Sequence, residues 1–189
     1  MIKLPFGVNI NNLIDDLRIV SWEASEILLS YRKIIKKKDH LSRIIKIKKN
    51  DDPVTLADLK VNELIINRIN EKYKEVDWNI LSEENAKLNF LNSNSDAEWL
   101  WILDPLDGTK DFIQGTNNYA MHLALNYKQK PFIGIVLIPE RDELWISKGE
   151  KVWCESRYKK IINPQPCKNK SLNEMILVTS KNHNNETLR

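Results

Sequence analysis

The hydrophobic period of this chain switches once, and that switch limits the folds open to it. Between residues 12 and 31, apolar side chains recur at Leu13, Ile14, Leu17, Val20, Ala24, Ile27, Leu28 and Tyr31. This is the three-and-four spacing of one helix face, with Asn11 or Asn12 available as N-cap. After DDPVT the spacing resumes through Leu56, Leu59, Leu64, Ile65 and Ile69, predicting a second helix from Thr55 to about Tyr73. From Trp99 onward the pattern belongs to strands. Trp99–Leu103 is an apolar run stopped by Asp104-Pro105, and YAMHLALNY alternates bulky with small or polar side chains. PFIGIVLIP is nearly continuous, as expected of a strand covered on both faces. DELWIS and KVWCE, separated by Gly149, continue as a meander, and MILVTS is a further strand. Two helices followed by strands predict an α+β fold, a layered sandwich with N-terminal helices packed on a large, mostly antiparallel sheet.

With 189 residues, 42% hydrophobic and 29% charged, the chain has the material for a real core, and wholesale disorder is excluded. Cys154 and Cys167 form neither a disulfide scaffold nor a CxxC pair. The N-terminus lacks a basic stretch followed by an apolar one, and no apolar run approaches the roughly 20 residues of a membrane span. A cytoplasmic protein without a membrane span is expected. The net charge of +3 is uneven: Arg32 to Lys49 holds nine Lys or Arg against Asp39 alone. Without aromatic interleaving or a nucleic-acid-binding motif, this stretch reads as a solvated helix end and loop. Drawing in an anionic substrate is its second reading. No nucleic-acid partner is expected.

Acidic residues gather at three element ends: Asp58 in DPVTLAD, Glu83-Glu84 in LSEEN, and Asp104 and Asp107 in WILDPLDGT. Singly, each has an ordinary explanation as a helix-start acid, a solvated pair or a strand-ending turn. Together they suggest a site. Pro105 fixes the backbone so that Asp104 and Asp107 face one point, with the Leu106 carbonyl available as a third oxygen. Such an all-oxygen set suits a hard cation such as Mg²⁺. Gly108 and Thr109 then present backbone N–H groups at a turn, a seat for a phosphate oxygen. Carboxylates followed by an anion cradle describe metal-assisted phosphoryl transfer. His40, His122 and His183 show no metal spacing, and Ser82 and Ser180 lack an adjacent base. Lys110 approaching a substrate phosphate competes with a plain surface lysine. The tryptophans in strand-like segments read as packing groups.

WILDPLDGTKDF closely resembles the metal-binding signature of the inositol monophosphatase superfamily, and DDPVTLAD and LSEEN match its two other N-terminal motifs in order. Within that superfamily, DPVT-x-AD and the Lys110-Asp111-Phe112 continuation look most like CysQ-type 3′(2′),5′-bisphosphate nucleotidases. The resemblance implies a Mg²⁺-dependent, lithium-sensitive phosphomonoesterase with two or three ions. Glu83, Asp104 and the Leu106 carbonyl would hold the first ion, and Asp104 and Asp107 would share the second. Glu84 would be an additional ligand. Asp58 and Thr109 would orient and deprotonate the attacking water. Glu83 and the Gly108 and Thr109 amides would contact the phosphate.

One departure stands against the match. The superfamily's further aspartate, from a WD-x-AAG-type motif in the C-terminal third, has no counterpart here, and Asp142 is no substitute. Residues 1–189 are therefore expected to be the metal- and phosphate-binding N-terminal portion, with the second metal site incomplete and the C-terminal portion absent. The implied substrate is a small phosphate ester: 3′-phosphoadenosine 5′-phosphate, with inositol monophosphate or another sugar phosphate as the alternative. The implied partners are a second copy in a homodimer or a complementing C-terminal fragment. A reading of a different class is a non-catalytic remnant that keeps a metal site only.

Overall fold

The computed structural model describes residues 3–36, 45–47, 53–84, 97–158, 162–164 and 171–175. Helix α1 (Ile10–Lys36) opens the chain. Its cap is Asn9 rather than Asn11 or Asn12: the Asn9 side chain accepts from the Asn11 and Asn12 amides at 2.9 and 3.2 Å. The expected apolar stripe is the buried one, with Leu13, Leu17, Val20, Ala24 and Leu28 each no more than 2% exposed. Each leucine or valine among them contributes about 1.5–3 kcal/mol relative to exposure. The helix runs past Tyr31 into the basic stretch, where Lys33 and Lys36 in its last turn complement the helix dipole. Arg32 corrects the expectation of a solvated end, being only 1% exposed.

Strands β1 (Ile45–Ile47) and β2 (Pro53–Thr55) form a small antiparallel ribbon with Ile45 opposite Thr55. Thr55 ends the ribbon and caps helix α2 (Leu56–Lys72). The buried face of α2 is shifted from the expected one: Ala57, Val61 and Ile65 are fully buried and Ile69 is buried, while Leu56, Leu59 and Leu64 are only half-buried. Then come β3 (Asn79–Ser82), β4 (Trp99–Asp107), a short helix α3 (Thr109–Gln114), β5 (Ala120–Tyr127) and β6 (Lys130–Ile138). A 3₁₀ turn (Pro139–Arg141) leads to β7 (Glu143–Lys148) and β8 (Lys151–Glu155).

The six strands β3 to β8 lie side by side in chain order. Strand β3 pairs parallel with β4, and every later pairing is antiparallel. Parallel pairing needs a long connection, which residues 83–98 supply between β3 and β4; α3 lies in the connection from β4 to β5, and short turns join β5 through β8. One register row, Leu103–Leu123–Ile135–Ile146, crosses four strands and is at most 1% exposed throughout. That face packs with the helices in a single core. The neighbouring row, Ile102–Ala124–Gly134–Ser147, belongs to the other face, and Ile102 is 38% exposed. Strand β6 is therefore not covered on both faces as its sequence suggested. Ile133, Ile135 and Leu137 are buried, while Gly134, Val136 and Ile138 are half-buried. An apolar run signals possible burial of both faces, but only a covering layer supplies it.

Trp99 and Trp101 are buried packing groups, and Cys154 is a buried free thiol. Among the described residues no helix is long and apolar enough to cross a membrane. Most of the basic stretch, residues 85–96 of the Asn-rich segment, residues 176–180 of MILVTS, His40, Cys167, Ser180 and His183 lie outside the described residues.

Candidate active site

Asp58 sits in the first turn of α2 because the sequence Thr55-Leu-Ala-Asp58 is a capping box. The Thr55 hydroxyl accepts from the Ala57 and Asp58 amides at 3.1 and 3.4 Å, and Asp58 Oδ2 accepts from the Thr55 amide at 2.8 Å. The same Oδ2 also accepts from the Thr55 hydroxyl, at 2.6 Å. These bonds lock the carboxylate and leave Oδ1 directed elsewhere. Oδ1 lies 3.4 Å from Thr109 Oγ1, which also donates to the Leu106 carbonyl at 3.0 Å. The Asp58–Thr109 pair expected from the sequence is thus present as a long contact, bridging two elements far apart in the chain. Asp58 is 2% exposed. Burial pushes its carboxyl up to about 6, aided by the charge of Glu84, against the opposing pull of the Thr55 hydrogen bonds.

The DPLD segment departs from the expected turn. Strand β4 does not stop at Asp104-Pro105 but continues to Asp107. Pro105 has no N–H for the ladder, and the pairing slips there: Asp104 faces His122, whereas Asp107 faces Ala120. Three steps on β4 match two on β5, which is a β-bulge. In a regular strand, residues three apart point to opposite faces. The bulge cancels that inversion and brings Asp104 and Asp107 to the same side. The Asp104 carboxylate also accepts from the Leu106 amide at 3.1 Å, fixing the bend. Its carboxyl is pushed up to about 7, first by burial, then by Glu83, Asp107 and Asp58, with the Leu106 hydrogen bond opposing. The charged groups that bear on it are all carboxylates.

Glu83 and Glu84 start a helical turn directly after β3. The anchor is Ser82, fully buried, whose hydroxyl accepts from the Glu84 amide at 3.3 Å and donates to the Asn62 carboxamide oxygen. Asn62 stands one turn beyond Asp58 on α2, so a single helix supports both acidic segments. Glu83 is the acid that bears on Asp104, and Glu84 the one that bears on Asp58.

Gly108 caps α3 in the left-handed region, at φ 82°. A Cβ at this position would lie 2.5 Å from the Asn118 carbonyl oxygen, so glycine is required by both conformation and space. Thr109 opens the helix, where the first N–H groups have no intrahelical acceptor. Lys110 is exposed on the following turn. His122 is half-buried on β5, and Asp142 sits at the β6–β7 turn, 3.7 Å from Arg157.

The sequence-predicted residues Asp58, Glu83, Asp104, Leu106, Asp107, Gly108 and Thr109 therefore converge on one end of the sheet. Thr55 and Asn62 were missed as supports, although the T-x-x-D spacing was a readable capping signal. Among the described residues, no three His, Cys, Asp or Glu side chains close on a point as a finished metal cage. The fit to hard cations rests instead on like charges facing one another around Asp104 and on a carbonyl oxygen beside them. Such groups repel until a cation gathers them. The Leu106 carbonyl already accepts from Thr109, and its second lone pair keeps it eligible as a ligand. An open concavity of about 1060 Å³ lies at the other end of the sheet, lined by Phe6, Lys72, Tyr73, Trp99 and Tyr127 among others. It contains none of these residues.

Several known proteins are similar to this chain. The 3′(2′),5′-bisphosphate nucleotidase CysQ of Haemophilus influenzae is 33% identical over 95 residues, covering 50% of this chain and 34% of that protein. Nus factor SuhB of Pasteurella multocida is 33% identical over 105 residues, covering 55% of this chain and 37% of its own. Among solved structures, inositol monophosphatase-II of Staphylococcus aureus superposes with TM-score 0.62 at 21% identity, covering 85% of this chain and 53% of that one. The chain thus spans about a third of the length of these curated relatives and about half that of the solved neighbour. The inositol monophosphatase family model matches residues 12–189, so the chain belongs to that family.

Proposed function

We propose that this chain is the metal- and phosphate-binding part of a Mg²⁺-dependent phosphomonoesterase acting on the 3′-phosphate of 3′-phosphoadenosine 5′-phosphate. The observation that carries the reading is the Asp58–Thr109 contact of 3.4 Å beside the Asp104 carboxylate group. Similarity to CysQ and the Lys110-Asp111-Phe112 continuation support the nucleotidase choice. The family itself supports a second reading, inositol monophosphate.

In this reading Glu83, Asp104 and the Leu106 carbonyl hold one cation, and Asp104 with Asp107 shares another. Cations held there would neutralise phosphate and leaving-group charge and make water a better nucleophile at neutral pH. The Gly108 and Thr109 amides receive the phosphate oxygens. Thr109 Oγ1 takes a proton from the attacking water as its own proton passes to Asp58 Oδ1. Burial suits Asp58 to this task, because a base works best with a pKa near the operating pH. As the water oxygen bonds to phosphorus, the ester P–O bond breaks, and the freed 3′-oxygen takes a proton from solvent.

The test is phosphate release from 3′-phosphoadenosine 5′-phosphate with Mg²⁺, with inositol monophosphate in parallel and Asp104→Asn as the blank. Faster release from the nucleotide, lost in the blank, is the expected result. Faster release from inositol monophosphate would replace the substrate. A folded chain with no release above the blank would reduce it to a metal-binding module.

A further inference from the structure

We propose that Arg32, far from the acidic residues in sequence, is a positioning residue for the phosphate seat at Gly108 and Thr109. The proposal rests on the reading of that seat given above. Helix α3 has only six residues, far too few to hold its shape unaided. Its C-terminal end is gripped by Arg32, whose guanidinium donates to the Gly115 carbonyl and, at 3.2 Å, to the Thr116 carbonyl. Gly115 supplies the turn that aims its carbonyl at the guanidinium. It is left-handed at φ 93°, a conformation that L side chains rarely adopt, while a Cβ there would only touch Arg32 Nη1 at 3.4 Å. A cation at a helix C-terminus opposes the carbonyl dipoles left unpaired there.

The grip continues around the loop that returns to β5. Arg32 Nε is 3.6 Å from Glu140, and Glu140 accepts from the Tyr119 hydroxyl at 3.1 Å. The Tyr119 ring meets Phe112 of α3 edge to face, centroids 4.8 Å apart, and Phe112 is fully buried. Between these anchors the Asn118 carbonyl presses against Gly108, where a Cβ would lie 2.5 Å away. Arg32 thus holds one end of a loop whose middle fixes the backbone of the seat. A guanidinium 1% exposed, with Nε and Nη1 making no hydrogen bond among the described residues, is costly to bury. Packing alone would be served better by an apolar side chain.

The test compares Arg32→Met, Arg32→Lys and Leu28→Ala in the full chain. Leu28 lies one turn earlier on α1 and is fully buried, so its truncation reports general loss of stability. Amide exchange is measured for residues 108–119 and for β6, together with kcat and KM on the preferred phosphate ester. For Arg32→Met the expected result is faster exchange in 108–119 with β6 unchanged, and kcat lower by roughly 10²-fold. Arg32→Lys, which keeps a cation at the helix end, should recover part of both. Leu28→Ala should leave kcat intact per folded molecule. If Arg32→Met does not fold, Glu140→Gln is read the same way. Unchanged exchange in 108–119, or an equal response to Leu28→Ala, would overturn the proposal. A wild-type chain without phosphatase activity would instead sink the functional reading, with exchange alone then deciding the role of Arg32.

Discussion

Replacing Asp58 with asparagine separates the chemical use of this carboxylate from its structural one. The carboxyl stands near 3.8 ordinarily and is pushed to about 6 in the fold. A difference of that size corresponds to roughly 3 kcal/mol by which folding favours the protonated over the ionised form. Because the folded value is the raised one, this stability is fully present below the unfolded value and is lost as pH rises through about 6. At pH 8 the wild-type chain carries the full cost of a buried charge. Asparagine never ionises, and its carboxamide oxygen takes over the Thr55 amide and hydroxyl that Oδ2 now holds. Asp58→Asn should therefore be more stable than wild type at pH 8, by up to about 3 kcal/mol, with the difference fading by pH 4. Proton acceptance is lost, so activity should fall roughly 10²- to 10⁴-fold. Asp58→Ala sheds the same charge but loses the capping bonds, so it should be about 1 kcal/mol less stable than Asp58→Asn at both pH values. Urea unfolding in chelator at the two pH values, with phosphate release at pH 8, measures all of this. Retained activity would refute the base, and an Asn variant less stable than wild type at pH 8 would refute the burial argument.

Mg²⁺ should raise the melting temperature by relieving the repulsion around Asp104, up to about 2.7 kcal/mol at a hundredfold excess over Kd. Asp104→Asn should remove most of that shift in a thermal scan. Gly108→Ala should cost about 2 kcal/mol or more, because a left-handed backbone and the Asn118 carbonyl both oppose the added methyl. A urea midpoint indistinguishable from wild type would contradict that geometry.

The helices, the sheet and the acidic segments were legible because each rests on local spacing: a three-and-four stripe in α1 and α2, alternation in β5, turn residues around Gly149. What escaped depends on pairing between distant segments. No local signal says that Pro105 creates a bulge rather than an end, because the slip exists only relative to β5. The half-buried second face of β6 was hidden for a similar reason, since an apolar run does not name what covers it. Arg32 was concealed by company. Among so many lysines a buried arginine looks like one more solvated charge, and only the carbonyls at residues 115 and 116 distinguish it. In the site, the types and order of the acids were readable. Their mutual orientation came from the capping box and the bulge.

The capping box has a consequence for how drifting copies of such a chain should be read. Asp58 begins a helix and, in the proposed reading, accepts a proton, so a copy that has lost its chemistry still gains from any side chain that holds the Thr55 amide and hydroxyl. Asparagine would keep those bonds and shed the buried charge, so drift at this position is expected to stop at Asp58→Asn. Thr109 is different. Valine fills nearly the same space, and what disappears is a hydroxyl serving Asp58 and the Leu106 carbonyl. Among related sequences, a lapsed enzyme is then expected to show Asp58→Asn and an apolar residue in place of Thr109, while the rest of DPVTLAD looks intact.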